Sequence, residues 1–288
     1  MALNKEVFKT RALSAVVFVA IMLAGLLWNH WSLLLLFSII HFGCWWEYLR
    51  LQEKIRRYQY HIYFKVGLMS LGYCAMLMIG SLADTQGKYD VFLQLFLPLQ
   101  LASMVMLGWG LFKNKQPQPQ FNSAIAAAFG GLPYISISWG LMLQLGLQSE
   151  QALGSPGGWL YPVLLIAAIW INDTMAYIVG SMIGKTPLSK ISPKKTWEGT
   201  IGGAVLAVAV VTGLAVWLLQ ASWWQVAAIS ATAAVVGTLG DLLESRLKRM
   251  AGVKDSGQMM PGHGGFLDRF DSLLLATPCV WLLLKVMA

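Results

Sequence analysis

Three of the four aspartates in the last fifty residues, Asp241, Asp268 and Asp271, carry the first hint of chemistry. Asp268 and Asp271 stand three apart where an apolar run begins, and on a helix that spacing puts both carboxylates on one face, near enough to share a divalent cation. The same pair could instead serve the helix N-terminus, which favours carboxylates by ~0.3–1 kcal/mol. Asp241 and Glu244 sit at the opposite end of another apolar run, where the helix dipole opposes negative charge. Capping does not account for them; a cation would, either Lys248 or Arg249 about one turn on, or a bound metal. Asp173, next to Asn172, lies well inside a third apolar run, where a carboxylate costs at least ~2.5 kcal/mol unless it is paired or faces water. Either a hydrogen bond to a neighbouring helix or a polar cavity would answer that cost, and Thr174 and Tyr177 would extend a polar face by helical spacing.

Around these carboxylates stand groups suited to phosphate. Gly262, Gly264 and Gly265 free the backbone to turn amides toward an anion, and Lys248, Arg249, Lys254 and Arg269 could neutralise it. The stretch Gly184 to Gly199 adds Lys185, Lys190, Lys194 and Lys195 beside Ser189, Ser192 and Thr196. A lipid-surface patch would explain the lysines alone. It would not explain Thr196-Trp197-Glu198-Gly199 running into Gly202-Gly203, a pair that permits close helix approach, so a nucleotide or phosphate contact is the favoured reading. His263 could be a general acid or base, or could hold its loop by hydrogen bonds. The chain has no GxxxxGK[ST] and no strand to carry one, which excludes a P-loop nucleotidase.

The elements that must position these residues are membrane helices. The chain of 288 residues is 57% hydrophobic and 12% charged, with a mean hydropathy of +0.61, against about a quarter charged for a soluble domain. A helix needs roughly 20 apolar residues to cross a bilayer. That ruler predicts an all-α protein of about nine spans, near 12–28, 31–47, 66–82, 91–112, 123–147, 159–182, 200–219, 223–242 and 270–287. Lys and Arg then separate between the two sides. Lys5, Lys9, Arg11, Arg50, Lys54, Arg56, Arg57, Lys65, Lys113, Lys115, the 185–195 lysines, Arg246, Lys248, Arg249, Lys254 and Arg269 fall on one side, and only Lys88 and Lys285 on the other. By the positive-inside rule the N-terminus is cytoplasmic. The N-terminal segment reads as a retained anchor, not a cleaved signal.

The net charge of +8 comes in short patches between apolar runs, which fits anionic lipid and gives no reason to invoke nucleic acid. Cys44, Cys74 and Cys279 lie inside apolar runs without CxxC spacing and read as packing residues. Residues 1–150 form a scaffold whose spans are almost free of ionisable groups, apart from Glu47 at a span edge; residues 151–288 hold the candidate chemistry, the whole making one membrane-embedded unit.

The stretch from Ser245 to Asp271 closely resembles the signature of the phosphatidate cytidylyltransferases (CDP-diacylglycerol synthases), in which S-x-x-K-R, K-D, P-x-H-G-G and D-R-x-D follow in order. Asn172-Asp173-Thr174, Ser192 to Gly199 and Gly240 to Ser245 are similar to further segments of that family, so the resemblance covers about the last 120 residues. Met260 stands where the family usually has Leu, Ile or Phe. The resemblance implies transfer of a cytidylyl group from CTP to phosphatidic acid, with Mg²⁺ as cofactor and room for a second cation, in a multi-pass protein of the inner membrane with its site facing the cytoplasm. It implies the metal role for Asp241, Asp268 and Asp271, with Asp173 in the same cavity. Phosphate contacts are expected from Lys194, Lys195, Lys248, Arg249, Lys254 and Arg269, with hydroxyls from Ser192, Thr196 and Ser245. It also suggests a homodimer.

Two other classes compete. A CTP-dependent lipid kinase would use similar groups to pass the γ-phosphoryl to an alcohol. A secondary transporter would use Asp173 as an ion ligand near the midplane, but the expected inverted repeat is not visible. The DG-x2-AR…D-x3-D pattern of CDP-alcohol phosphotransferases is absent.

Overall fold

Apolar runs of bilayer length must satisfy their backbone polar groups internally, which leaves the helix as their solution. The computed structural model describes residues 5–82, 84, 87, 90–113, 120–153, 158–259 and 264–287, the side chains of 5–13, 90–93, 95 and 150–153 aside. The helices are α1 (Lys5–Leu27), α2 (His30–Arg56), α3 (Ile62–Ser81), α4 (Asp90–Lys113), α5 (Phe121–Phe129), α6 (Ser138–Leu153), α7 (Leu160–Ile183), α8 (Trp197–Leu219), α9 (Trp223–Met250) and α10 (Leu267–Met287). A π-helical segment, Leu132–Ile137, joins α5 to α6, so that Phe121–Ser149 acts as one span. Among the described residues eight spans are long and apolar enough to cross a membrane, and α1 adds a shorter apolar segment, Ser14–Leu27. The protein is an all-α, polytopic membrane protein, in line with the expected count.

Two helices run past their apolar stretches. The second expected span ends near 47 and the eighth near 242, yet α2 continues to Arg56 and α9 to Met250. Ion pairs hold both extensions: Glu53 with Lys65 at 2.7 Å and Glu244 with Lys248 at 2.5 Å. Composition marks where a helix leaves lipid, not where it ends. The tight link at Trp28-Asn29 is fixed by a capping box, in which Asn29 Oδ1 accepts from Trp31 N and Ser32 N at 2.9 Å each.

Helices α7, α8, α9 and α10 pack on one another in order, with α9 and α10 also touching α7. Small residues bring α7 and α8 together: a Cβ on Gly203 would lie 2.7 Å from the backbone nitrogen of Ala176, and one on Gly199 2.7 Å from its carbonyl oxygen. Helix α2 reaches α9 and α10 from the first half of the chain. Inside, Trp45, Trp139, Phe37 and Phe64 are fully buried, whereas Val205, Trp217 and Leu218 of α8 lie on the outer surface. Cys44 and Cys74 are buried packing residues and Cys279 is exposed, all three with free thiols. Polar ties cross the interior where a backbone group would otherwise be orphaned. Pro278 cannot donate to the carbonyl of Leu274 one turn back, and Ser138 Oγ donates to that oxygen at 2.6 Å.

Candidate active site

The second-half helices, joined by α1, leave two cavities that meet at two carboxylates. The first, about 410 Å³, is walled by α7, the 184–196 loop, the start of α8, and α9 at Thr238 and Asp241. Asn172, Asp173, Tyr177, Ser181, Ser192, Lys194, Lys195, Thr196, Thr200, Thr238 and Asp241 line it. The second, about 520 Å³, opens between α1, α7 and α10. One wall is apolar, from Ala15, Phe18, Val19, Ile169 and Trp170; the other holds Asp173, Asp241, Asp268, Arg269, Asp271 and Ser272. Asp173 and Asp241 line both.

The 184–196 loop owes its shape to the residue types around Thr196. Thr196 has extended backbone and its Oγ1 accepts from Gly199 N at 3.2 Å, starting α8. Glu198, in the first turn, accepts from the amides of Lys185 and Thr186 at 3.1–3.2 Å, and Leu188 N donates to Lys195 O at 2.7 Å. The loop folds back on the helix start and carries Lys194 and Lys195 over the cavity. Lys195 Nζ stands 2.5 Å from Asp241 Oδ2. The cation required at Asp241 thus comes from this loop and the one at Glu244 from Lys248, a turn along its own helix.

The segment between α9 and α10 is organised around Asp268. Its Oδ1 receives Lys248 Nζ at 2.6 Å, and its Oδ2 accepts from Ser256 N at 2.9 Å and Gly265 N at 2.7 Å, with Ser256 Oγ also 2.9 Å away. Gly264 has φ +85°, a left-handed backbone in which a Cβ would also crowd Asp268 Oδ2. The anion that Gly265 greets is therefore a carboxylate of the chain itself. Lys248 bridges Asp268 and the fully buried Glu244, whose Oε1 has no hydrogen-bond partner among the described residues.

Of the residues expected to act, the structure gathers Asp173, Ser192, Lys194, Lys195, Thr196, Asp241, Asp268, Arg269 and Asp271 around the paired cavities. Lys248, Arg249, Lys254, Ser245, Gly264 and Gly265 line neither: Lys248 holds Asp268, Arg249 Nη1 donates to Val253 O at 3.3 Å, and Lys254 is exposed. His263 lies outside the described residues, as does Gly262.

The cavity shared by four carboxylates has Arg269 as its one lining cation among the described residues. Asp241 and Asp268 are already ion-paired with Lys195 and Lys248, and the hard oxygens of the set are of the kind that suits Mg²⁺, which takes one or two carboxylates and fills its other positions with water and substrate oxygens. No three acidic, His or Cys side chains among the described residues form a ready cage.

Sequence reasoning passed over Glu47. It is buried on α2, and its oxygens accept from Ser256 Oγ at 2.6 Å, Phe266 N at 3.0 Å and Leu267 N at 2.9 Å. The available signal was its position as the one charged residue within the apolar spans of the first half.

Residues 9–287 match the model of the cytidylyltransferase family. Among curated proteins, the chain is 48% identical over 131 residues to a phosphatidate cytidylyltransferase of Synechocystis sp., covering 44% of this chain and 43% of that protein. It is 35% identical over 188 residues to one of Staphylococcus saprophyticus, covering 65% of this chain and 70% of the relative. A third, from Brucella abortus, is 44% identical over 130 residues, covering 44% of this chain and 47% of that protein. The chain thus spans less than half the length of the Synechocystis and Brucella relatives in the stretches it matches.

Proposed function

The chain belongs to the cytidylyltransferase family, and from that membership we propose that it transfers a cytidylyl group from CTP to phosphatidic acid, giving CDP-diacylglycerol and pyrophosphate for phospholipid biosynthesis. The observation that carries this reading is the pair of cavities meeting at Asp173 and Asp241. One is lined by lysines, hydroxyls and an amide, as a polyanionic nucleotide requires. The other joins an apolar wall to a charged end, as a lipid phosphate requires.

In the reaction a phosphate oxygen of the lipid attacks the α-phosphorus of CTP in line, the bond from that phosphorus to the bridging oxygen breaks, and pyrophosphate leaves with the electron pair. A phosphate monoester is already ionised near neutral pH, so no strong base is needed, and His263 is not required in that role. The protein's work is to position two polyanions and screen their charge. Lys194 and Lys195 would hold the triphosphate, Arg269 the lipid phosphate, and Ser192 and Thr196 would donate from the loop. Lys248 would orient Asp268, with Arg249, Lys254, Ser245, Gly264 and Gly265 shaping the adjoining loop. Asp241, Asp268 and Asp271 would hold Mg²⁺, which when bound supplies positive charge to the triphosphate.

The asymmetry of Lys and Arg supports a site on the cytoplasmic face of the inner membrane, and the apolar wall of the second cavity suits a lipid whose acyl chains stay in the bilayer. A homodimer is compatible with this arrangement. The deciding experiment incubates purified protein with CTP, phosphatidic acid and Mg²⁺ and identifies the products. Pyrophosphate with CDP-diacylglycerol supports the proposal; CDP with a phosphorylated alcohol acceptor would assign a lipid kinase instead.

A further inference from the structure

We propose that Glu47 is a positioning residue of this site, holding the turn that opens α10 and, through Ser256, setting the orientation of Asp268. The inference rests on the cytidylyl-transfer reading and adds to it a residue from the first half of the chain.

A carboxylate 6% exposed on a membrane helix is costly unless its charge is met by donors. Three donors meet it. Phe266 N and Leu267 N belong to the start of α10, among the amides that a helix leaves without an internal acceptor. A helix N-terminus is ordinarily served by a neighbouring Ser, Thr, Asp or Asn; here the acceptor comes from a different helix, 220 residues away in sequence. Among the described residues no basic side chain pairs with Glu47, so amides, a hydroxyl and the positive end of α10 balance its charge.

The contact is built for a carboxylate at close quarters. A Cβ on Gly257 or on Gly265 would overlap the Glu47 oxygens, and one on Gly43 would overlap the Phe266 ring. Backbone on one side and glycines on both thus seat α2 against the turn. If this were packing alone, an apolar side chain would serve as well.

Ser256 makes the contact matter for the site. Its Oγ lies 2.6 Å from Glu47 Oε2 and 2.9 Å from Asp268 Oδ2, yet a hydroxyl has one proton to give. Donated to Glu47 across the shorter contact, that proton leaves Asp268 Oδ2 to the amides of Ser256 and Gly265. Without Glu47 the hydroxyl is free to donate to Asp268, drawing on the charge that a cation would use and freeing the turn that aims it.

Full-length Glu47→Gln, Glu47→Asp and Ser256→Ala proteins, purified in detergent, test the assignment. The readouts are kcat, KM for CTP, the Mg²⁺ concentration giving half-maximal rate, thermal unfolding and hydrogen exchange at the Phe266 and Leu267 amides. Glu47→Gln is expected to lower kcat at least about tenfold and to raise the Mg²⁺ requirement, as loss of an outer-shell partner does, with KM for CTP within about threefold and faster exchange at both amides. Glu47→Asp, which keeps the charge but withdraws it by one methylene, should fall between Gln and wild type. If Glu47→Gln does not fold, the Asp and Ala variants decide by the same readouts. Folded variants with wild-type kcat and Mg²⁺ dependence would overturn the proposal. A wild-type protein that releases no pyrophosphate would instead overturn the transfer reaction on which it rests.

Discussion

Two lysines with similar-looking ion pairs sit in different physical situations. Lys248 lies between Glu244, whose side chain is 0% exposed, and Asp268, at 7%. Lys248→Met would leave two buried carboxylates without their shared cation, an uncompensated charge worth about 3–5 kcal/mol; thermal unfolding in detergent should show a large drop and little folded protein. Lys195, 30% exposed beside Asp241, faces the first cavity. Lys195→Met should leave unfolding nearly unchanged and lower kcat about 10²-fold, the usual loss when one donor to a developing charge is removed. Asp271→Asn should abolish CTP-dependent formation of CDP-diacylglycerol in a protein that remains folded, and full activity in that variant would remove the proposed Mg²⁺ role. At this scale the sequence was legible in kind: an ionisable residue in an apolar run needs a partner, and Asp173, Asp241 and Glu244 announced themselves that way. The partners were less legible. Lys195 and Asp241 are 46 residues apart, and only the fold decides that they meet.

Among the elements, the close approach of α7 and α8 shapes the first cavity, and glycines permit it. Gly203→Val would drive a side chain into the backbone of Ala176. It should lower thermal stability and raise KM for CTP together, because separating the helices displaces the loop that carries Lys194 and Lys195. Gly213 is on the same helix with nothing near its Cβ position, so Gly213→Ala should keep activity and hold or raise the unfolding temperature. Ser138→Ala would leave the Leu274 carbonyl unpaired beside Pro278, with an expected loss of about 0.6 kcal/mol and at most ~1.7 kcal/mol by comparison with other interhelical hydrogen bonds in membranes. Hydropathy located the spans because lipid imposes one length and one polarity on each. It missed the ends of α2 and α9, where the helix leaves the apolar slab and continues on ion pairs. It also left the π-helical turn at Leu132–Ile137 unseen, since nothing in residue spacing distinguishes it from α-helix.

For the whole molecule, the orientation inferred from Lys and Arg has a direct test. Single cysteines placed in the 57–61, 184–196 and 251–259 segments should be shielded from a membrane-impermeant maleimide in intact cells and labelled after the membrane is opened; one at Ala221 should be labelled in both. The reverse pattern would put the nucleotide cavity on the side without CTP. The division into scaffold and chemistry rests on which apolar spans carry ionisable groups, and such a census cannot see a hydrogen bond between Glu47 and amides at the far end of the chain. That bond has a consequence for recombination. Splicing the first half of one relative to the second half of another would join an acceptor to a turn it did not grow up with. Such hybrids should stay inactive unless both parents place a carboxylate and two facing glycines in the same register, so parental pairs that satisfy this rule are the ones from which working chimeras can be assembled.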